Sequence, residues 1–350
     1  MNPSSRSGDR PRILFVATDL STGGGVNKVI RDLAVMFKRR LSADVVVVNA
    51  RSARPSAYTF PSDVEVECHG PQSLVSYFRL LLRLRSRRPD VVIGSWTQDN
   101  ILLTLAFLFS RTRVVLVEHS SRRFHGWAIR LLRRIVYPFA SDVIVLNHRD
   151  LERYRGYLTN VRLIPNPVFP TTDANRSREK LIIAVGHLIP VKQFDHAIRA
   201  MARSRLEDEG WSMAIIGSGS EAHGLSKLIE AEGLKRTRLV APGDDLGSWY
   251  AKASFLLLTS RLESFSLVLA EAMLAGVIPV AYASDGPSFI LQDLPEHLVR
   301  TGDEQALADR LIRFARGADP ETLRQHLRDS IQERFSPDVI APQWKELLQS

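Results

Sequence analysis

Two glutamates in the second half of the chain stand at a spacing that suits ligand binding. Glu263 and Glu271 are separated by seven residues in SRLESFSLVLAEAMLAGVIPVA (260–281). On one helix they would lie ~12 Å apart along the axis, beyond the ~5–9.5 Å between the carboxylates of a glycosidase. We expect Glu263 in a turn and Glu271 in a helix that runs from about Ser266 to just before Gly276. The pair then suits the two ends of an extended ligand, and a surface helix with incidental glutamates is the alternative.

The start of this predicted helix adds a site for an anion. The N–H groups of Phe265, Ser266 and Leu267 have no partner within the helix, and the helix dipole favours negative charge there. Hydroxyl groups at both ends of a ligand with a phosphate between them describe a nucleotide-sugar. The segment therefore predicts a site for a nucleotide-sugar.

Lys192 and His119 are two further side chains that suit such a ligand. Lys192 lies in VGHLIPVKQFD (185–195) and offers a compact positive charge for a diphosphate and for a departing nucleotide. A single lysine in a loop is more often simply solvated. His119 ends the buried-strand pattern VVLVEHS (114–120), where a lone histidine is usually structural.

Two glycine-rich segments allow a close approach of the backbone to a ligand. Gly23, Gly24 and Gly25 follow the first predicted strand and precede a helix, where bare backbone can reach a phosphate or an acceptor. A flexible turn is the alternative there. Gly217 opens a G-x-G-x-x-A pattern (217–222) that resembles a dinucleotide fingerprint and gives an oxidoreductase as a weaker alternative. That pattern lies in the middle of the chain rather than after a first strand.

Several other classes of site find no support in the sequence. Cys68 is the single cysteine, which rules out a disulfide framework and a cysteine-based zinc site. The chain has no HExxH pair, no Walker lysine loop and no D-x-D after an apolar strand. We therefore expect no metal ion and no cofactor besides the nucleotide-sugar as co-substrate.

The elements that must position these residues are short apolar strands alternating with helices. Near-continuous β-branched runs of this kind are typical of parallel sheets covered on both faces. The predicted strands are 12–18, 44–50, 64–68, 90–95, 113–119, 142–147, 161–165, 181–186, 212–217, 238–242, 254–260 and 277–281. We expect two doubly wound α/β domains that face each other across a cleft, with ligands beyond the carboxyl ends of the strands.

The 350 residues suggest two domains joined by a Pro- and Asn-rich linker at 165–180. We expect an N-terminal domain over 1–168, a C-terminal domain over 177–335 and a terminal helix over 336–350 that crosses back to the N-terminal domain. The polar start lacks the apolar region of a signal peptide. The longest apolar run, 101–109, is about half of the ~20 residues of a membrane span. A soluble protein of a reducing compartment is expected.

Charge is divided unevenly between the two halves. Residues 1–170 hold 26 Lys and Arg against 13 Asp and Glu, although the whole chain has a net charge of only +9. Two basic amphipathic stretches in this half, 73–90 and 121–139, are typical of helices at an anionic membrane surface. Packing of their apolar stripes on the domain's own sheet is the alternative. We expect no nucleic-acid partner, because no nucleic-acid motif accompanies the charge.

The segment from Glu263 to Glu271, followed by GVIP (276–279), resembles the E-x7-E motif of glycosyltransferase family 4, retaining enzymes of GT-B fold. Six other segments occur in the family's order. They are the glycine triplet 23–25, VEH (117–119), IPNPV (164–168), VGHLIPVKQFD (185–195), IIGSGSE (215–221) and SDGPSFI (284–290). The resemblance covers the chain from the first strand to about residue 290.

The resemblance implies a role for each candidate residue. Glu271 would hold ribose hydroxyls, Glu263 those of the donor sugar, and Lys192 the donor diphosphate. His119 would bond the donor sugar near the reacting carbon. The remaining donor-binding positions are Phe265, Ser266, Leu267, Gly186, His187 and Gly217, and the loop for acceptor or phosphate is Gly23, Gly24 and Gly25.

Three positions depart from the family's pattern. His187 stands where the family usually has Arg, and Gln193 and Ser264 stand where it usually has Gly. These departures leave open a non-catalytic nucleotide-sugar-binding relative in a glycan-assembly complex.

The resemblance implies a retaining, metal-independent hexosyltransferase. Its donor would be a UDP-sugar first of all, and its acceptor a glycan or a lipid-linked sugar in cell-surface polysaccharide or glycolipid synthesis. It would lie in the cytoplasm, peripherally on the inner face of the plasma membrane.

Overall fold

The chain folds into two compact units, residues 1–167 with 337–350 and residues 168–336. The computed structural model describes residues 10–70, 73–119, 126–170, 178–243, 246–317 and 321–349. Residues 171–177 of the predicted linker and 121–125 of the second basic stretch lie outside the described residues.

Unit 1 is built around a seven-stranded parallel sheet. Its strands are β1 (Arg12–Ala17), β2 (Asp44–Asn49), β3 (Glu65–Cys68), β4 (Val91–Gly94), β5 (Arg113–Val117), β6 (Asp142–Val145) and β7 (Val161–Leu163). They lie in the order β3-β2-β1-β4-β5-β6-β7. The helices between them are α1 (Gly25–Arg40), α2 (Leu74–Ser86), α3 (Thr97–Phe107), α4 (Trp127–Val136) and α5 (His148–Arg155).

Unit 2 contains a six-stranded parallel sheet in the order β10-β9-β8-β11-β12-β13. Its strands are β8 (Leu181–Val185), β9 (Ser212–Ile216), β10 (Thr237–Val240), β11 (Phe255–Leu258), β12 (Ile278–Tyr282) and β13 (Leu298–Val299). Its helices are α6 (Phe194–Ser204), α7 (Ala222–Ala231), α8 (Leu246–Lys252), α9 (Leu267–Leu274), α10 (Asp285–Ile290), α11 (Glu304–Ala315) and α12 (Glu321–Phe335).

The predicted pair of doubly wound parallel sheets is confirmed. The central strands are buried on both faces, which is why β2 (DVVVVN) and β11 (FLLL) are almost continuously apolar. β13 was not expected, because two residues carry no recognisable periodicity.

The strand order reverses at the first strand of each sheet. β1 lies between β2 and β4, and β8 lies between β9 and β11. Doubly wound sheets bind ligands in the crevice beyond the carboxyl ends of the strands at such a point. The glycine triplet 23–25 follows β1, and the segment 186–192 follows β8, so both candidate segments stand at these positions.

The terminal helix α13 (Pro337–Gln349) belongs to unit 1. Trp344 of this helix is almost fully buried, and its ring meets that of Phe37 on α1 edge-on with 5.1 Å between the ring centroids. An ion pair joins Asp338 to Arg40 at the other end of the contact. α13 therefore completes the packing around α1.

No helix among the described residues combines the length and the apolarity needed to cross a bilayer.

We predict that Trp344→Ala lowers the free energy of unfolding by about 3–5 kcal/mol, because it opens a cavity beside Phe37. Val339→Ala on the same helix is the matched control, since Val339 is 36% exposed, and it should change stability by less than about 0.5 kcal/mol. Denaturant unfolding of both variants measures the difference. Equal effects would show that α13 does not contribute to the core of unit 1.

Candidate active site

An ion pair between Lys192 and Glu263 forms the centre of the candidate site in unit 2. Lys192 ends a 3-10 turn over Pro190–Lys192 that follows β8, and Glu263 lies in the loop between β11 and α9. The Lys192 Nζ lies 2.5 Å from the Glu263 Oε1. Both side chains remain partly exposed, at 23% and 14%. A ligand can therefore reach the Lys192 ammonium group, which is paired with the Glu263 carboxylate in this structure.

Two hydrogen bonds fix the loops that carry this pair. The Thr259 Oγ1 donates to the carbonyl oxygen of Lys192 at 2.8 Å, and the Arg261 N–H donates to the carbonyl oxygen of Val191 at 2.9 Å. β8 and β11 are neighbours in the sheet, so their loops leave it side by side. The backbone around Lys192 is therefore held directly against the loop that leads to Glu263.

Gly286 supports the Glu263 loop from its other side. Its N–H donates to the carbonyl oxygen of Glu263 at 2.8 Å. A Cβ atom at Gly286 would lie 2.6 Å from the carbonyl oxygen of Phe265, so only glycine fits this approach. The Phe265 ring packs edge-on against Phe335 with 5.3 Å between centroids, so Phe265 can serve the site only through its backbone.

Ser266 marks the start of α9 with an unusual backbone. It has φ 76° and ψ 77°, in the left-handed region, and its side chain makes no capping hydrogen bond to the helix. A residue other than glycine is strained there, and such residues cluster at ligand clamps. α9 then begins at Leu267, one residue after the predicted start.

Glu271 is buried on α9, with only 3% of its surface exposed. The Tyr250 hydroxyl, on α8, donates to its Oε2 at 3.1 Å. Burial and the Glu271 charge raise the pKa of Tyr250 well above its ordinary value, so the tyrosine stays a protonated donor. α9 is almost wholly buried, so it is not a surface helix.

The glycines after β8 and β9 are explained by backbone packing. A Cβ atom at Gly217 would lie 1.9 Å from the carbonyl oxygen of Gly186, and one at Gly219 would lie 2.4 Å from that of Leu188. The Leu188 N–H donates to the carbonyl oxygen of Ser218 at 2.8 Å. The loops after β8 and β9 are therefore packed tightly against each other just before the Lys192 turn in the chain.

The three departures from the family pattern have clear structural settings. Gln193 has φ 49° and ψ 46°, so it keeps the left-handed conformation that a glycine would adopt, and its Nε2 lies 3.2 Å from the His196 Nε2. His187 is exposed, and Ser264 is buried. Gln193 thus keeps the backbone course of the turn between Lys192 and α6.

In unit 1, His119 lies just after the end of β5. Its Nε2 is buried and makes no hydrogen bond within the described part of the chain. Burial lowers the pKa of His119 from 6.5 to about 4, so the imidazole is neutral at pH 7. A buried polar atom without a partner is uncommon in proteins, and this one suits a hydrogen bond to a ligand.

Glu118, the residue before His119, is a buried carboxylate that the sequence did not identify as a site residue. Its oxygens accept hydrogen bonds from side chains on or next to α3, α4 and α5. The donors are Thr97 (3.0 Å), Asn100 (3.3 Å), Arg133 (3.2 Å), Tyr154 (2.9 Å) and Tyr137. These contacts fix the end of β5 and with it the backbone of His119.

Tyr58 and Asn27 order the glycine triplet after β1. The Tyr58 hydroxyl bridges the N–H and the carbonyl oxygen of Gly24, at 3.0 and 3.1 Å. The Asn27 Nδ2 donates to two carbonyl oxygens of the preceding loop. A Cβ atom at Gly23 or Gly25 would meet nothing within 4 Å, so the backbone at the start of α1 is held in place and remains open on one side.

Two family models match the chain in sequence. Residues 23–171 match Glycosyltransferase Family 4, and residues 171–334 match Glycosyl transferases group 1. The matches run from the glycine triplet of unit 1 nearly to the end of α12. The chain is a glycosyltransferase of the GT-B type.

Known proteins resemble this glycosyltransferase over most of its length. It is 24% identical over 363 residues to the amylovoran biosynthesis glycosyltransferase AmsD of Erwinia amylovora. This match covers 96% of this chain and 99% of that protein. It is 26% identical over 283 residues to an N-acetylgalactosaminyltransferase of Campylobacter jejuni, with 78% of each covered. The structure of Anabaena HepE in complex with UDP superposes with a TM-score of 0.79 at 18% identity, over 97% and 99% of the chains.

The low pKa of His119 gives this glycosyltransferase a pH-dependent stability. Its ordinary pKa of 6.5 applies in the unfolded chain and about 4 in the folded one, so the unfolded chain binds more protons between these values. We predict that this contribution lowers the melting temperature as the pH falls from about 6.5 towards 4. His119→Asn should remove that part of the pH dependence. Identical pH profiles for both proteins would contradict the burial of a neutral histidine.

Proposed function

We propose that this glycosyltransferase moves a sugar from a UDP-sugar to a hydroxyl group of a glycan or a lipid-linked acceptor, with retention at the anomeric carbon. The observation that carries the proposal is the Lys192–Glu263 ion pair beside the start of α9. It sets a cation for a diphosphate next to a carboxylate for sugar hydroxyls. Glu271 lies about one turn into α9, where it would hold a second hydroxyl-bearing group of the same ligand.

Positioning and charge stabilisation account for the chemistry that we assign to unit 2. The bond between the anomeric carbon and the diphosphate oxygen breaks, and negative charge grows on the departing diphosphate. The acceptor oxygen bonds to the anomeric carbon, and the proton of the acceptor hydroxyl passes to the departing diphosphate. The Lys192 ammonium and the N–H groups at the start of α9 stabilise that charge, which lowers the barrier without a metal ion. Glu271 holds the ribose, and Glu263 holds the donor sugar, which fixes the reacting carbon in place.

Unit 1 supplies the remaining groups in this proposal. The Nε2 of neutral His119, which makes no hydrogen bond to any residue that the structure describes, bonds a hydroxyl of the donor sugar. The open backbone at Gly23 and Gly25 receives the acceptor or a phosphate. A neutral imidazole suits this role, because it can either donate or accept a hydrogen bond.

The names of the relatives favour the substrate classes. HepE was solved with UDP, AmsD is named for the biosynthesis of amylovoran, and the Campylobacter enzyme is named for an undecaprenol-diphosphate-linked acceptor. A lipid-linked acceptor stays in a membrane. We therefore place the protein in the cytoplasm, with the basic unit 1 against the anionic inner face of the plasma membrane.

The direct test of the proposal is a panel of nucleotide-sugars measured by thermal shift, followed by NMR of the product's anomeric configuration. A UDP-sugar should raise the melting temperature most, because a ligand that binds only the folded state stabilises it. The product should keep the anomeric configuration of the donor. Thermal stabilisation without turnover on any acceptor would favour a non-catalytic nucleotide-sugar-binding protein. A product of inverted anomeric configuration would contradict the proposed retention.

Lys192→Ala should lower kcat/KM by a factor of about 30 to 1000, which corresponds to about 2–4 kcal/mol for one preorganised donor. The variant lacks the ammonium group that stabilises the negative charge on the departing diphosphate. Lys227→Ala, at an exposed position on α7, is the matched control and should leave kcat/KM unchanged. Unchanged kcat/KM in Lys192→Ala would remove the diphosphate role.

The two glutamates should separate in their effects on UDP, which has a ribose and a diphosphate but no sugar. Glu271→Gln should weaken UDP binding, because a ribose contact is lost. Glu263→Gln should lower kcat and yet bind UDP at least as tightly as the native protein, because Lys192 no longer has a carboxylate 2.5 Å away. Calorimetry with UDP measures both constants. Weaker UDP binding in Glu263→Gln would contradict the assignment of Glu263 to the sugar.

A further inference from the structure

α4 in unit 1 faces the solvent with its apolar side chains. Trp127, Leu131 and Ile135 recur every four residues and are 74%, 51% and 56% exposed, and Leu132 beside them is 46% exposed. The apolar surface continues past the end of the helix to Phe139, which is 60% exposed. An ordinary surface helix turns such residues towards the core, so α4 has the opposite orientation.

A buried ion pair fixes α4 in this orientation. Arg133 is the fully buried side chain of the helix, with its Nη1 3.2 Å from the Glu118 Oε2 and its guanidinium over the Tyr154 ring at 5.0 Å. Rotation that buried Leu131 and Leu132 would leave the Glu118 carboxylate without its cation, which is strongly unfavourable in a protein interior. The exposure of the apolar face is therefore a consequence of the fold.

α2 differs from α4 in that it contributes four side chains to the core, although it also exposes Leu74, Val75 and Leu82. Both helices come from basic, leucine-rich stretches that read alike in the sequence. α2 buries Tyr77, Leu80, Leu81 and Leu84 in the hydrophobic core of unit 1. That core takes only Val136 in full from α4, so the leucines of α4 are not needed to complete it.

Positive charge beside the apolar face indicates the kind of partner. Arg130 and Arg134 are exposed on α4 and stand one turn apart. Apolar side chains flanked by arginines match the acyl boundary of a bilayer and its anionic headgroups. A nucleic acid offers the charge without the apolar layer.

We propose that α4 inserts its apolar face into the surface of an anionic bilayer, with Arg130 and Arg134 at the headgroups. The inference deepens the proposed function, since a lipid-linked acceptor requires the enzyme at a membrane. It assigns the membrane contact to α4, and it adds insertion of apolar side chains to the electrostatic attraction between the protein and the bilayer. Because salt screens only the charges, α4 retains part of its binding at 1 M NaCl.

Vesicle flotation with a double variant tests the insertion. Leu131→Gln with Ile135→Gln should weaken binding to phosphatidylglycerol–phosphatidylcholine vesicles about tenfold or more, because two apolar side chains no longer leave water. The matched control is Leu74→Gln with Val75→Gln on α2, where the two side chains are 64% and 61% exposed. The control should bind like the native protein. An equal loss in both double variants, or no loss in the first, would overturn the assignment to α4.

Trp127 gives a second measurement that does not depend on the variants. Its emission should shift to shorter wavelength on addition of the vesicles and be quenched by brominated acyl chains, and Trp127→Phe should remove both signals. Native protein that fails to bind the vesicles and sediments as a dimer broken by the Leu131/Ile135 variant would identify the face as a contact between copies, and would overturn the proposal.

Calorimetry with UDP on the same proteins separates the two proposals. All of them should bind UDP equally, since α4 belongs to unit 1. Vesicle binding without UDP binding would contradict the proposed function and leave the insertion intact, and the reverse result would contradict the insertion alone.

Discussion

The ion pair between Lys192 and Glu263 is the contact on which the account of the site depends. It joins the loops that follow two neighbouring strands, β8 and β11, and hydrogen bonds from the Thr259 hydroxyl and the Arg261 N–H hold those loops together. The glycines on either side of the pair are needed for close packing: Gly217 fits under Gly186, and Gly286 fits against Phe265. Close backbone packing thus holds the Lys192 ammonium, which we propose binds the diphosphate, beside Glu263.

In unit 1, a buried carboxylate, that of Glu118, organises the residues around it. Glu118 is buried at the end of β5, and the pKa values of Tyr137 and Tyr154 are raised by burial and by that carboxylate, so both tyrosines stay neutral donors to it. The ion pair between Glu118 and Arg133 turns the apolar face of α4 outward. His119 is the residue that follows Glu118 in the chain. One buried charge therefore determines both the placement of a candidate site residue and the character of a surface.

The sequence predicted the two parallel sheets and the position of the glutamates, because these depend on local periodicity and on the family motif. It did not predict the roles of Glu118, Tyr250 or Tyr58, since each acts through a partner far away in the chain. It also could not separate α2 from α4, because the same pattern of leucine and arginine suits a helix on the core and a helix at a surface. The Arg133–Glu118 contact determines which face of α4 points outward, and the periodicity of the sequence does not show that contact. The charged residue that follows the apolar run of β5 was the one local signal.

The most direct test of the central claim is a thermodynamic cycle on two ligands, uridine and UDP, with the native protein and Lys192→Ala. Calorimetry gives four dissociation constants, and the ratio of uridine to UDP affinity isolates the contribution of the diphosphate. If Lys192 binds the diphosphate, the preference for UDP should shrink about tenfold or more in the variant, whereas uridine binding should stay the same. A preference for UDP that is unchanged in Lys192→Ala would contradict the account.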